Sequence, residues 1–186
     1  MSAPELPFFV YGTLRPGEVN HDLLLRGRTL REEPARLAGA VLYQGPGYPY
    51  AVEQPGGTVA GELVTPLPRA YARLLAELDR LEEYVPGDPR NLYERVEREV
   101  AVRPVTLTRG RDGRGDGHGE GDGHGEADGH GDGEGDEKGE RDGQGAVFRG
   151  AGPVVRAWVY VAAPAVADRL RARGKLIESG DWLTRP

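Results

Sequence analysis

Apolar residues concentrate in five short segments separated by turn residues. They occur in unbroken runs or at every second position, which is typical of strands. The predicted strands are Leu6–Tyr11, Arg36–Tyr43, Thr58–Val64, Tyr93–Arg103 and Val154–Val161. The fourth, containing ERVEREVAV, places valines on one face and charged side chains on the other, as in a half-exposed antiparallel strand. The pattern therefore predicts a sheet that is largely antiparallel.

One segment, TPLPRAYARLLAELDRLEEY, has helical periodicity instead. Its apolar residues recur three and four positions apart, while most of its charged residues share the opposite side. Thr65 is the predicted N-cap, and Pro66 suits the first helical position. Pro86 and Gly87 are predicted to end the helix.

Two adjacent glutamates near the end of this helix are predicted to face opposite sides. At 100° per residue, with Leu74 at zero, the apolar arc runs from about −40° to about 100°; Glu82 falls near 80° and Glu83 near 180°. If the helix continues to residue 83, the first carboxylate faces the core and the second faces solvent. Burial raises a glutamate pKa above about 4.3, which suits a general base. Alternatively the helix ends before Glu82, or Glu82 pairs with Arg95. Asp79, at the edge of the arc, is predicted to be a solvated or capping residue.

The first strand stops abruptly in FVYGTLRPGEVN. Where a strand ends, backbone N–H groups lose their partners and can converge on an anion. Gly12 permits a positive φ and close approach of a ligand, and Thr13 adds a hydroxyl. Arg15 either adds charge or faces solvent, and Pro16 and Gly17 form a second turn. An ordinary tight turn is the alternative interpretation.

Residues 110–145 differ from the rest of the chain in composition. They hold 15 of the 29 glycines and 12 acidic against four basic residues, without a large apolar side chain. Such a segment cannot offset its ordering entropy by burial, so we expect a disordered, solvated loop joining two strands that pair. Weak metal binding by His118, His124 and His130 is the alternative. The 186 residues otherwise fit a single domain, 1–186, interrupted by this insert.

Charge and cysteine content narrow the function further. The net charge of −6 resides in the insert, and without a basic cluster among aromatics we expect no nucleic-acid partner. The absence of cysteine removes disulfides, thiolate nucleophiles and Cys-ligated metals. No apolar run approaches a membrane span and no leader pattern opens the chain, so the predicted location is cytoplasmic, without a membrane partner.

Several motifs together resemble the gamma-glutamylcyclotransferase-like superfamily. They are YGTLRPGEVN, GELV, LDRLEEY, LYERVEREV and, near the C-terminus, AWVYV and ESGDWL. The resemblance implies a small mixed α/β (α+β) fold, in which a twisted sheet closes into a barrel with flanking helices. It also implies that a Tyr-Gly-Ser/Thr-Leu loop binds a glutamyl group and that a glutamate is the catalytic base.

Carried over to this sequence, the glutamyl-binding loop is Tyr11, Gly12, Thr13 and Leu14, and the base is Glu82. Many members have Gly where this chain has Glu83. The implied reaction is intramolecular attack of an α-amine on its own γ-carbonyl, releasing 5-oxoproline and a free amine or amino acid without metal or organic cofactor. The implied partner is thus a small-molecule gamma-glutamyl substrate; its leaving group and the oligomeric state stay undetermined.

Two other functions stay open: a non-catalytic binding module on the same fold, and a metal-buffering protein acting through the insert. The remaining aromatic side chains have predictions of their own. Tyr93 is predicted either to donate a hydrogen bond to the ligand or to have a core or edge role. The Tyr48–Tyr50 turn is predicted to pack on the barrel rim, with lining of the leaving-group pocket as the alternative, and Trp158 is predicted in the core and Trp182 against the tail. A solvated or capping role is predicted for His21, with a ligand contact as the alternative.

Overall fold

The computed structural model describes residues 5–103 and 152–185. Its strands are β1 (Phe8–Val10), β2 (Thr29–Gln44), β3 (Pro49–Pro66), β4 (Tyr93–Val102), β5 (Val154–Ala162) and β6 (Lys175–Ile177). Its α-helices are α1 (Tyr71–Leu81) and α2 (Pro164–Arg173). The structure also has a π-helical turn at His21–Leu25 and 3₁₀ turns at Pro68–Ala70 and Trp182–Thr184. The predicted insert at 110–145, with its three histidines, lies outside the described residues.

Five strands close into a barrel in the order β3-β1-β5-β4-β2, and β2 pairs with β3 to complete the ring. Four of these five pairings are antiparallel, and β1 runs parallel to β5. β6 extends the sheet beside β2. A largely antiparallel sheet that closes into a barrel with flanking helices is therefore confirmed. The two strands on either side of the insert in sequence, β4 and β5, pair as predicted.

Alternating side chains along β1 enter two different cores. Phe9 belongs to the cluster inside the barrel, whereas Phe8 and Val10 pack with residues of both α-helices. Leu74 and Leu78 of α1 are fully buried against that outer face, and each contributes about 1.5–3 kcal/mol by leaving water. This packing holds the C-terminal end of α1 beside the end of β1, where the candidate site lies.

The helix is shorter than its periodicity predicts. Thr65, the predicted N-cap, is in β3 and pairs with Arg31, so that prediction is wrong; Pro66 is the last residue of the same strand. Pairing with β2 outweighs the local capping signal. The helix α2 was not predicted because it buries only Val166 and Ala167 and has little amphipathic character.

Strands β2 and β3 extend well beyond the predicted segments. Between them the register shifts near Gly39, whose φ is 76°, opposite the EQPGG stretch that contains Gly56 with φ 82°. This bulge bends one long hairpin, where the sequence indicates a break between strands. No helix in residues 5–103 and 152–185 has the length and hydropathy needed to cross a membrane.

Candidate active site

A cavity of about 460 Å³ opens where the end of β1, the end of α1 and the β2–β3 turn meet. All the predicted site residues line it: Tyr11, Gly12, Thr13, Leu14, Glu82 and Tyr93. Its other walls are mainly apolar and aromatic. The structure thus brings together residues that are up to 82 positions apart in the chain, although the roles predicted for them stay predictions.

Backbone amides form one side of the cavity. Within the described residues, the N–H groups of Gly12, Thr13 and Leu14 donate to no backbone carbonyl and to no side chain, whereas the Arg15 N–H closes a turn onto the Gly12 carbonyl at 3.0 Å. Three successive amides without a protein partner, on the wall of a cavity, are suited to binding an anionic oxygen.

Asn20 closes this loop onto itself. Its side-chain amide donates to the Thr13 hydroxyl at 2.9 Å, and its backbone N–H donates to the Thr13 carbonyl at 3.1 Å. The Thr13 hydroxyl is therefore held by the loop, and Asn20 itself lines the cavity. This positioning residue was not predicted, although it ends the motif that carries the family resemblance.

Arg15 anchors the loop to the body of the protein and is not exposed. Its side chain is 8% exposed and donates to both carboxylate oxygens of Glu62, at 2.6 and 2.9 Å, and to Asp181 at 2.5 Å. Of the two predicted alternatives, solvent exposure is therefore wrong. Its charge is neutralised by β3 and by the C-terminal segment.

Gly12 is required for a reason different from the predicted one. Its φ is not positive; the positive value in the following turn belongs to Gly17, at 90°. A Cβ on Gly12 would lie only 2.8 Å from Cδ of Pro49. The absent side chain thus permits close packing between the loop and the β2–β3 turn.

The helix ends so that Glu82 stays on the cavity side. Glu82 is the C-cap and still donates its N–H to the Leu78 carbonyl at 3.0 Å. Glu83 follows with φ 52°, its N–H bonds to the Arg80 carbonyl, and the Tyr84 N–H bonds to the Asp79 carbonyl at 2.8 Å. These two bonds form a Schellman motif. The observed helix thus ends at Leu81, two residues before the end supposed in the sequence analysis. The two carboxylates still differ in exposure as predicted: Glu82 is half-buried and Glu83 is exposed.

Burial raises the pKa of Glu82 to about 7. Within residues 5–103 and 152–185 its carboxylate accepts no hydrogen bond and forms no ion pair, so nothing offsets the loss of hydration of its charged form. The alternative in which Arg95 pairs with Glu82 is wrong, because Arg95 donates to both oxygens of Asp79, at 2.7 and 2.9 Å. A half-buried, unpaired carboxylate with this pKa can accept a proton near neutral pH.

Asp79 has a structural role that the sequence did not indicate. Besides the pair with Arg95, it accepts a 2.7 Å hydrogen bond from the Tyr160 hydroxyl. Arg95 in turn lies over the rings of Tyr84 and Trp158, at 5.3 and 5.1 Å. The prediction of a solvated or capping Asp79 is therefore wrong. The network fixes Tyr160, which lines the cavity, and the end of α1 that carries the glutamate.

The hydroxyls of the two predicted tyrosines are used within the protein. Tyr11 donates to the Tyr160 carbonyl at 2.5 Å and accepts from the Ala51 N–H. Tyr93 donates to the Pro49 carbonyl at 2.9 Å, and its ring stacks on Tyr50 at 4.8 Å. Burial raises the pKa of both phenols, so both stay protonated donors. Their rings line the cavity. The Tyr93 hydroxyl donates to Pro49 in this structure, and its predicted contact with the ligand stays a prediction.

Four other predictions have clear outcomes. Tyr48 and Pro49 line the cavity, as in the alternative prediction for this turn, whereas Tyr50 does not. His21 is half-buried and within 2.9 Å of a Glu32 carboxylate oxygen, so a solvated role is wrong. Trp158 is half-buried beside Tyr71, to which its N–H donates at 3.2 Å, and Trp182 is buried.

The closed barrel, with a strand-end loop and a helix-end glutamate on one cavity, is the architecture that the sequence motifs predict. The model of the Gamma-glutamyl cyclotransferase, AIG2-like family matches residues 8–112, more than half of the chain. The chain therefore belongs to this family.

A curated relative is the Gamma-L-glutamyl-butirosin B gamma-glutamyl cyclotransferase of Niallia circulans, 42% identical over 93 residues. The match covers 50% of this chain and 56% of the relative, so the chain spans about half the length of that protein.

Two solved structures are similar in fold. A protein from Arabidopsis thaliana is 22% identical with a TM-score of 0.48, over 98% of this chain and 72% of that one. An AIG2-like protein from Mus musculus is 19% identical with a TM-score of 0.46, over 97% and 84%. Neither likeness is close enough to bear on function.

Proposed function

We propose that the protein is a cyclotransferase that converts a γ-glutamyl amide into 5-oxoproline and a free amine. The observation that carries the proposal is that three amides and the half-buried Glu82, all without a partner among the described residues, line one cavity. Family membership and the name of the Niallia circulans relative, which acts on a γ-glutamyl compound, support the same substrate class.

The reaction forms one bond and breaks one. The α-amine nitrogen of the glutamyl group bonds to its own γ-carbonyl carbon, closing a five-membered ring, and the bond from that carbon to the leaving nitrogen breaks. Because both reacting groups belong to one molecule, the protein has only to hold the chain in a folded conformation and to move a proton. No oxidant or second substrate is required.

Glu82 is the proposed proton carrier. With a pKa of about 7 it is largely ionised just above neutral pH, and it takes a proton from the α-ammonium group. The same carboxylic acid then gives the proton to the departing nitrogen, which would otherwise leave as an unstable anion. One residue thus serves as base and acid in succession. After its attack the ring nitrogen still carries a second proton, which it releases to solvent as the ring amide forms, so Glu82 ends the cycle ionised again.

The loop amides supply the matching electrostatic contact. The N–H groups of Gly12, Thr13 and Leu14 would bind an anionic oxygen of the substrate, either the α-carboxylate or the oxygen that gains charge on the γ-carbonyl. Loop closure by Asn20 and anchoring by Arg15 hold these donors in place before the substrate arrives. Preorganised donors do not have to reorient as charge develops.

The test is release of 5-oxoproline from γ-glutamyl amino acids, γ-glutamyl amines and glutathione, compared between the parent protein and Glu82→Gln. Glutamine keeps the size of the side chain and removes its basicity, so kcat is expected to fall by about 10²–10⁴. Glu99→Gln is the matched control, since Glu99 is exposed and does not line the cavity. Equal turnover by Glu82→Gln and the parent would contradict the assignment of the base.

A further inference from the structure

The cavity has a buried floor and an exposed rim. Phe8, Val10 and Leu78 line its floor and are at most 5% exposed. At the rim, Val19 is 66% and Leu81 is 36% exposed, and both are lining residues. A leaving amine of variable size has to occupy the end that opens to solvent. The side chains nearest to the leaving amine are therefore those of Val19, Leu81 and Glu83.

Glu83 lies at the rim in an unfavourable backbone conformation. Its φ of 52° is in the left-handed region, which costs a non-glycine residue about 1–2 kcal/mol. Glycine would satisfy the same Schellman motif without this cost. The chain thus places an exposed carboxylate at the rim where the backbone favours a residue with no side chain.

The charge at this rim is unbalanced. Among the described residues that line the cavity there are two carboxylates, Glu82 and Glu83, and no lysine, arginine or histidine. Arg80, the nearest arginine to Glu83 in sequence, is exposed and does not line the cavity, and Arg15 is occupied by Glu62 and Asp181. In the described part of the chain, Glu83 makes no ion pair. A leaving group that carries a carboxylate would find no cation among the described residues that line the cavity and would meet this negative charge.

We propose that Glu83 is a specificity residue that selects γ-glutamyl amides by the charge of the leaving amine. The favoured leaving amine has an apolar stem, which contacts Val19 and Leu81, and a distal positive charge, which meets the Glu83 carboxylate. A distal carboxylate is disfavoured. This inference rests on the cyclotransferase activity proposed above and adds the class of leaving group.

The expected size of the effect follows from the exposure of Glu83. An ion pair exposed to solvent contributes up to about 1 kcal/mol, which corresponds to about fivefold in kcat/KM at 1.4 kcal/mol per tenfold. The preference should weaken as salt rises from about 0.01 M to about 1 M, because the Debye length falls from about 30 Å to about 3 Å. A purely structural role of Glu83 would not give this salt dependence.

The experiment compares three γ-glutamyl amides of similar length, made with pentylamine (neutral), diaminobutane (cationic) and aminobutanoate (anionic). For the parent protein, kcat/KM should be highest for the cationic and lowest for the anionic amide. In Glu83→Gln the ratio between cationic and neutral amides should fall by about fivefold, and because it is a ratio, any change in turnover that both amides share cancels. Glu99→Gln, which changes the net charge equally away from the cavity, should keep the parent ratio.

Two failures are distinguishable. If none of the three amides releases 5-oxoproline, the proposed function is wrong and the selection is wrong with it. If they are turned over but the charge ratio is equal in the parent and Glu83→Gln, or does not change with salt, the selection alone is overturned. Glu83→Gly gives a second measurement, because it removes the charge and the strained side chain together and should show the same loss of preference.

Discussion

Replacing Glu82 by glutamine is expected to stabilise the fold above neutral pH while it removes turnover. The carboxylate is half-buried and has no partner within the described residues, so its ionised form is stable in the unfolded chain and costly in the folded protein. Glutamine occupies the same space without a charge. The proposed base therefore lowers the stability of the folded protein above neutral pH.

The magnitude follows from the two pKa values. Burial raises the pKa from 4.5 to about 7 in the folded state, and each unit corresponds to about 1.4 kcal/mol. The upper bound is therefore about 3 kcal/mol, and partial exposure of the side chain reduces the expected value to about 1–2 kcal/mol. Because the folded state holds its proton more tightly, stability is unaffected by this group below pH 4.5. It falls as the pH rises toward 7 and then stays constant.

The assay is urea unfolding of the parent, Glu82→Gln and the control Glu99→Gln at several values between about pH 4 and about pH 8.5. The difference in unfolding free energy between Glu82→Gln and the parent should grow by about 1–2 kcal/mol between the two ends and level off above about pH 7. Taking the difference between variants cancels the titration of all other groups. A difference that is independent of pH, or that grows toward acid, would refute the burial of an unpaired carboxylate.

Three further predictions test other parts of the site. The kcat/KM of the parent should rise with pH through an apparent pKa of about 7, assigned to Glu82, and the rise should be measurable with the best γ-glutamyl amide. Asn20→Ala removes the hydrogen bond that closes the amide loop, so KM should increase by about tenfold with a smaller change in kcat. Equal KM values for the parent and the variant would contradict a positioning role of Asn20. Asp79→Asn breaks a half-buried ion pair with Arg95 and should lower the unfolding free energy by about 1–3 kcal/mol in urea titrations. The control is Asp168→Asn, at an exposed position of α2, which should change the unfolding free energy by less than about 0.5 kcal/mol.

Local patterns predicted the parts of the fold that local physics determines. The alternation in β4 reflects two faces with different solvent exposure, and the apolar arc of α1 places Glu82 on the buried side. Even the shortened helix leaves that prediction intact, because the C-cap residue keeps its bond to the Leu78 carbonyl. One turn of helix was enough to fix the direction of the side chain.

The rest of the site depends on partners that are remote in sequence. Arg15 pairs with Asp181, 166 residues later, and no pattern near the loop distinguishes a buried, paired arginine from an exposed one. Thr65 has the chemistry of an N-cap, yet strand pairing with β2 competes for the same residue and prevails. Asp79 presents the same difficulty, since its place at the edge of the arc acquires meaning only when β4 and β5 bring Arg95 and Tyr160 beside it.

Most of the polar side chains that line the cavity already form hydrogen bonds within the protein, so few polar groups are left to bind a ligand. Tyr11, Tyr93 and Tyr160 all line it, but each hydroxyl donates to a carbonyl or carboxylate of the protein. What remains without a protein partner on the described walls is the run of amides after Tyr11, the Glu82 carboxylate and, at the exposed rim, the Glu83 carboxylate. Aromatic rings exclude water around these groups, and a lower local dielectric strengthens every interaction they make with a charged substrate. The same exclusion raises the pKa of Glu82, so the walls that suit the amides to their proposed role as donors also suit the carboxylate to its proposed role as base.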